Sequence, residues 1–245
     1  MNDPGLKDIW VYLSASPLLG LTITLVAYGL AYRLYLRTNS NPLANPVVTS
    51  VAMLIGLLLL TGTSYNDYFE GGQFVHFLLG PATVALAVPL YQQFSRLRQL
   101  WMPVTISLLC GVVIAAGSSI WLARIFSGSF EIQMSLAPKS ATAPVAMGIS
   151  EKIGGLPSLT AVLVVITGIT GAVLGTKLFE WIRVKDDTAK GIAMGVAAHG
   201  IGTARAFQVS NQMGAFSGLA MALSAFATAL LVPWLVDLLD AWIPA

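Results

Sequence analysis

The sequence predicts an all-α integral membrane protein, a multi-span helical bundle with broken or re-entrant helices and an internal inverted repeat. Three observations lead there. Charged residues make up only 10% of the 245 residues and hydrophobic ones 56%, whereas a soluble domain carries about 25% charged residues, so there is too little charge to cover a water-facing surface. Long apolar runs recur along the whole chain, and the mean hydropathy is +0.77. Between those runs lie apolar stretches broken by Gly, Pro and isolated cations.

Taken in order, the runs 17–36, 102–123, 157–178 and 215–236 reach or approach the roughly 20 residues a helix needs to cross the hydrocarbon layer. The run 47–62 is shorter and follows Asn45-Pro46, a pairing suited to a helix start. Backbone groups in hydrocarbon must be hydrogen-bonded within the segment, so these runs are helices. The stretches 77–91, 134–150 and 191–209 contain the breakers Gly80, Pro81, Pro138, Pro144, Gly200 and Gly202. Freed backbone groups at membrane depth are tolerated only against protein or a water-filled cavity, which puts these stretches inside the bundle. The whole of 1–245 is expected to be one transmembrane domain. MNDPGLKDIW at the N-terminus does not read as a cleaved signal.

The stretch Ser150-Glu-Lys-Ile-Gly154-Gly-Leu-Pro-Ser-Leu159 aligns with Ser210-Asn-Gln-Met-Gly214-Ala-Phe-Ser-Gly-Leu219 at an offset of 60 residues. Each copy follows a broken segment and leads into a long run, the pattern of repeat-built transporters. Arg33, Arg37, Arg96, Arg98, Lys177, Arg183, Lys185 and Lys190 flank the runs on what the positive-inside rule makes the inner side. That assignment makes 134–150 and 191–209 re-entrant from opposite sides. The competing topology has both stretches crossing fully, giving eight spans and a parallel repeat.

Net charge is +2, so no basic face for nucleic acid is expected. With two histidines and one cysteine, Cys110, neither a disulfide nor a Cys/His metal cluster is expected, and no cofactor motif is present. Lys139 stands alone among uncharged residues between two prolines. Such cations usually face a cavity or a partner, so Lys139 is expected to meet an anion, with the Ser140 and Thr142 hydroxyls as donors; the alternative is a lysine snorkelling from a helix end. In the run His199-Gly-Ile-Gly-Thr-Ala-Arg205, a half-helix starting after Gly202 would aim its N–H groups at an anion. Thr203 and the planar fork of Arg205 would complete the site, unless Arg205 instead pairs with Glu151. His199 is a candidate for proton coupling or gating, as is Glu151; the alternatives are a hydrogen-bonded packing residue for His199 and a loop end for Glu151, the loop reading being favoured there. Ser140 beside Lys139 does not read as a catalytic pair, because neighbours on a helix face apart, so no enzyme is expected. His76, Trp10, Trp101, Trp181, Trp234 and Trp242 fall near segment ends, where an interfacial belt would lie.

Several motifs in order carry a resemblance: Asn45-Pro46, Tyr68-Phe-Glu-Gly-Gly-Gln-Phe, Leu78-Leu-Gly-Pro-Ala-Thr-Val-Ala, Pro138-Lys-Ser-Ala-Thr-Ala-Pro144, Ile153-Gly-Gly-Leu-Pro-Ser-Leu-Thr160 and His199-Gly-Ile-Gly-Thr-Ala-Arg-Ala206. The chain resembles the LrgB/CidB family of bacterial membrane proteins, which includes half of the plastidic glycolate/glycerate translocator. Ala141 and Ala143 stand where relatives are expected to carry bulkier or hydroxylated residues. The resemblance implies one of two functions. One is secondary transport of small monocarboxylates such as glycolate, glycerate or pyruvate. The other is a holin/antiholin-like role in controlling murein hydrolases and lysis. It also implies a bacterial inner membrane and an LrgA/CidA-like membrane partner. A homo-oligomer is a further expectation.

Overall fold

The computed structural model describes residues 17–38, 41, 44–78, 81, 84–85 and 87–242, apart from the side chains of 17, 76, 87, 89, 90 and 239–242. Every regular element among them is helical: α1 Pro17–Arg37, α2 Pro46–Thr61, α3 Tyr65–Phe77, α4 Ala87–Gln92, α5 Phe94–Ile125, α6 Phe130–Leu136, α7 Ala143–Lys152, α8 Pro157–Trp181, α9 Asp187–Val209 and α10 Asn211–Trp242. The helices α1, α5, α8 and α10 are long and apolar enough to cross a membrane. Their large side chains face outward freely, as at Trp181 (81% exposed) and Trp234 (64%), which water would penalise and lipid does not. Gly80 and Trp10 lie outside the described residues, as do the side chains of His76 and Trp242.

The chain divides into two compact units, residues 1–85 and 86–245. In the first, α1 packs against α2 and α3. The α1–α3 crossing is close: a Cβ on Gly20 would lie 2.5 Å from the Tyr68 carbonyl oxygen, and Thr24 Oγ1 meets the Tyr68 hydroxyl at 2.8 Å. Asn45 starts α2 by accepting from the N–H groups of Val47 (2.9 Å) and Val48 (3.4 Å). Gly62, at φ +66°, ends it.

The second unit holds two helical hairpins. In hairpin A, α6 and α7 are joined by a tip at 137–142, and both ends of the segment lie together. A Cβ on Gly154 would come within 3.0 Å of the Phe130 ring. The Leu156 N–H donates to Ser135 Oγ at 2.8 Å. Thr160 Oγ1 donates to Ser150 Oγ at 2.7 Å, with the Ser135 carbonyl also in reach at 3.1 Å. Ser135, Ser150 and Thr160 are completely buried, so this polar cluster satisfies itself and clamps the mouth of hairpin A onto the start of α8.

Hairpin B is α9 itself. His199 takes φ +39° and ψ −134°, breaking the helix near its middle. In a straight helix residues 194 and 202 would be about 12 Å apart along the axis. Here a Cβ on Gly202 would sit 3.0 Å from the Met194 carbonyl oxygen, so the second half folds back on the first. The ends close the mouth: Ser210 Oγ donates to Asp187 Oδ2 at 2.7 Å and Gln212 Nε2 to Thr188 Oγ1 at 2.9 Å.

The mouth of A lies against Leu156 and Thr160, at the N-terminal end of α8. Phe179, near the C-terminal end, packs with Met194, Ala206 and Met213 of B and its exit. The two hairpins therefore open at opposite ends of a 25-residue helix. The Arg96 Nη2–Asp186 Oδ1 ion pair at 2.7 Å puts the start of α5 at the same end as the mouth of B.

Two predictions follow from this packing. A Cβ on Gly195 would collide with the Ser217 carbonyl oxygen of α10 and lie 2.9 Å from Ala220 Cβ. Because backbone cannot yield cheaply, Gly195→Leu should cost at least ~1–3 kcal/mol and appear as aggregation and a lowered melting temperature in detergent. At the mouth of B, hydrogen bonding from Ser210 and then Lys190 holds the Asp187 carboxyl below its ordinary range. A carboxyl depressed by folding stabilises above its unfolded pKa and loses that contribution as pH falls through the folded value. The chain should melt a few degrees above Asp187→Asn between about pH 5 and 8, and the gap should close below about pH 4.

Candidate functional site

The two tips converge on one turn of α8. From the side of A, Ala141 and Ala146 pack against Val164 in a buried cluster. From the side of B, His199 Nε2 lies 2.9 Å from the Val164 carbonyl oxygen. This arrangement makes Nε2 the donor, since a carbonyl can only accept. It depends on Gly168, where a Cβ would stand 2.6 Å from His199 Cε1 and 2.9 Å from Ile201 Cδ1. One turn of α8 thus holds both tips, about 10 Å from the N-terminal end of the helix at a rise of 1.5 Å per residue.

The break in α9 corrects one expectation. The second half-helix begins at Gly200, not after Gly202, and the strained residue is His199; Gly200 and Gly202 do not have positive φ. An L-residue in such a conformation costs on the order of 1–3 kcal/mol. The contact with Val164 offsets that cost, as does Thr203 Oγ1, which donates to the His199 carbonyl at 2.8 Å. Gly202 is needed for close approach rather than for the bend.

The other predicted residues divide between the tips. Thr203 Oγ1 also meets Ser217 Oγ of α10 at 2.9 Å, and both residues are buried. Arg205 is 8% exposed, and its Nη1 donates to Gln208 Oε1 at 3.0 Å. At tip A, Pro138 is buried, Pro144 occupies the first turn of α7, and Thr142 caps that helix without a side-chain bond. The first N–H groups of α7 are therefore not taken by their own cap. Lys139 and Ser140 are half-buried. Glu151 is exposed at the end of α7, by the mouth of A. Pro81 is exposed in the first unit.

Lys139 lines an open depression of about 500 Å³ that also holds Ser118 and Ser119 of α5 and is bounded by Leu136 and the exposed side chains of Leu122, Phe126 and Ile132. Neither serine stands out in the sequence, where both look like ordinary small residues of an apolar run. A groove of about 520 Å³ between α5 and the first half of α9 contains none of the predicted residues. No group of three or more metal-ligating side chains occurs among the described residues.

Residues 24–238 match the LrgB-like family, spanning both units. The chain is 35% identical over 220 residues to the uncharacterized protein YwbG of Bacillus subtilis, covering 90% of this chain and 97% of the relative. It is 33% identical over 225 residues to the Holin-like protein CidB of Staphylococcus epidermidis, covering 92% and 97%. For the Holin-like protein CidB of Staphylococcus aureus the figures are 33% over 219 residues, 89% and 95%. No solved structure matches. With its motifs in order, its broken helices and this coverage, the chain belongs to the LrgB-like family of membrane proteins.

Proposed function

We propose that this chain is a holin-like component of a bacterial inner membrane that acts with a small LrgA/CidA-like partner to control envelope lysis through murein hydrolase activity. The relatives named Holin-like protein CidB support this reading ahead of the transport of any particular solute. One geometric observation shapes it: two opposed hairpins meet at Val164 inside a packed unit. Opposed broken segments that meet within a bundle are a feature of repeat-built transporters, which supports a gated path for small solutes.

The same observation favours a second reading, secondary transport of a small monocarboxylate such as glycolate, glycerate or pyruvate. The hairpins would form an inverted pair that alternately exposes the tips. Lys139, Ser140 and Thr142 from A, and Thr203 and Arg205 from B, would hold the carboxylate. The uncapped N–H groups of α7 support an anion there. His199, whose contact at Val164 lies beside the packing of tip A, would couple a proton to the movement of the tips, and Glu151 would gate the mouth of A. Carboxylate flux and lysis control are compatible, since the first could set the second. Neither requires a catalytic residue.

The test pairs two assays. In cells, autolysis and murein hydrolase activity should change when the chain is expressed with its partner; unchanged autolysis would contradict the lysis-control reading. In proteoliposomes with an imposed pH gradient, uptake of one carboxylate should saturate while the dye calcein is retained. Arg205→Ala should abolish that uptake with membrane insertion intact. Non-saturating leakage of calcein would contradict a gated path.

A further inference from the structure

The Lys139 depression is built for a particular kind of anion. Lys139 is the one charged residue lining it, and the walls are otherwise aliphatic and aromatic apart from Ser118 and Ser119. The amide of Lys139 is spent on the Leu136 carbonyl at 3.2 Å, whereas its side chain makes no hydrogen bond or ion pair among the described residues. The nearby Arg124 is engaged by Gln133 Oε1 at 3.3 Å. Ser119 Oγ donates to the Ala115 carbonyl at 2.5 Å and is buried. Ser118 reaches the same carbonyl only at 3.4 Å, a contact long enough for its hydroxyl to turn toward a ligand.

A lone ammonium in such a setting calls for a counter-anion. Leu122, Phe126, Ile132 and Leu136 offer nothing to a second hydroxyl or a second charge. A two-carbon acid held at Lys139 would cover little of these four side chains, and each buried methylene tightens binding roughly fourfold. We infer that Lys139, Ser118 and Ser119 form a binding site for monocarboxylates with an apolar body of about four to nine carbons, the carboxylate on Lys139, a Ser118 hydroxyl donating to it, and the hydrocarbon against the α5–α6 wall. The inference rests on the transport reading only for its physiological use, because binding can be measured without transport.

The experiment is isothermal titration of the full chain in nanodiscs, with empty nanodiscs subtracted, using straight-chain acids from acetate to palmitate together with glycolate and methyl octanoate. Affinity should climb roughly fourfold per methylene from butyrate, level off near octanoate, and exceed that for glycolate at least tenfold. Lys139→Gln should weaken octanoate at least tenfold, and Ser118→Leu, which removes the hydroxyl donor and crowds the depression, should weaken it comparably. Lys152→Gln, at the exposed end of α7, should leave it unchanged.

Methyl octanoate binding as tightly as octanoate would overturn the site on the unaltered chain, whatever the variants do to folding. Glycolate matching octanoate would overturn the ligand class. A rise that continues to palmitate would do the same, in favour of a fatty acid from the bilayer. Octanoate binding without uptake would leave the site standing and remove the transport reading. Octanoate affinity unchanged in Lys139→Gln would overturn the site and leave the transport reading standing.

Discussion

The carbonyl of Val164 is the point on which the second unit depends. A helix carbonyl already accepts from the amide four residues on, yet this one is also reached by His199 at 2.9 Å. Only the missing side chain at Gly168 lets the imidazole approach. That contact fixes the bend of α9, the bend folds its second half back along the first, and the fold-back brings Ser210 to Asp187. The side chain of the same residue, Val164, packs against Ala141 and Ala146. Loss of either tip would strand broken backbone at membrane depth, where no water replaces the missing partners.

The mouths obey the same constraint with different chemistry. Hairpin A is closed by neutral hydroxyls, Ser135, Ser150 and Thr160, all fully buried. Hairpin B is closed by a carboxylate, Asp187, which Ser210 and Lys190 hold ionised. A neutral clamp can lie within apolar surroundings at little cost, whereas an ionised one needs access to water. Ser150 and Ser210 align at the 60-residue offset, and each belongs to a clamp, Ser210 donating to a carboxylate and Ser150 accepting from a threonine.

Much of this was legible in the sequence. The long runs became α1, α5, α8 and α10 because twenty apolar residues with internal hydrogen bonding admit little else. Asn45-Pro46 marked the start of α2, since the asparagine side chain caps what the proline begins. Sequence also placed the breaks within 134–150 and 191–209, but could not choose between crossing and returning. That choice is made by contacts far apart in the chain, such as Phe130 with Gly154 and Thr188 with Gln212. The bend was expected at glycine and fell on His199, because a tertiary hydrogen bond outweighs local backbone preference. Ser118 and Ser119 were invisible as site residues for the same reason: only the placement of hairpin A gives them Lys139 as a neighbour.

The central claim is that both broken segments return to the side they start from, at opposite ends of α8. The most direct test is the sidedness of single cysteines in a Cys110→Ala background, read with a membrane-impermeant thiol reagent on sealed vesicles. The account predicts that Ser129→Cys and Lys152→Cys, flanking hairpin A, label from one side, while Lys185→Cys and Asn211→Cys, flanking hairpin B, label from the other. Labelling of Ser129→Cys and Lys152→Cys from opposite sides would mean that the segment crosses the bilayer, and would contradict the hairpin on which the account rests.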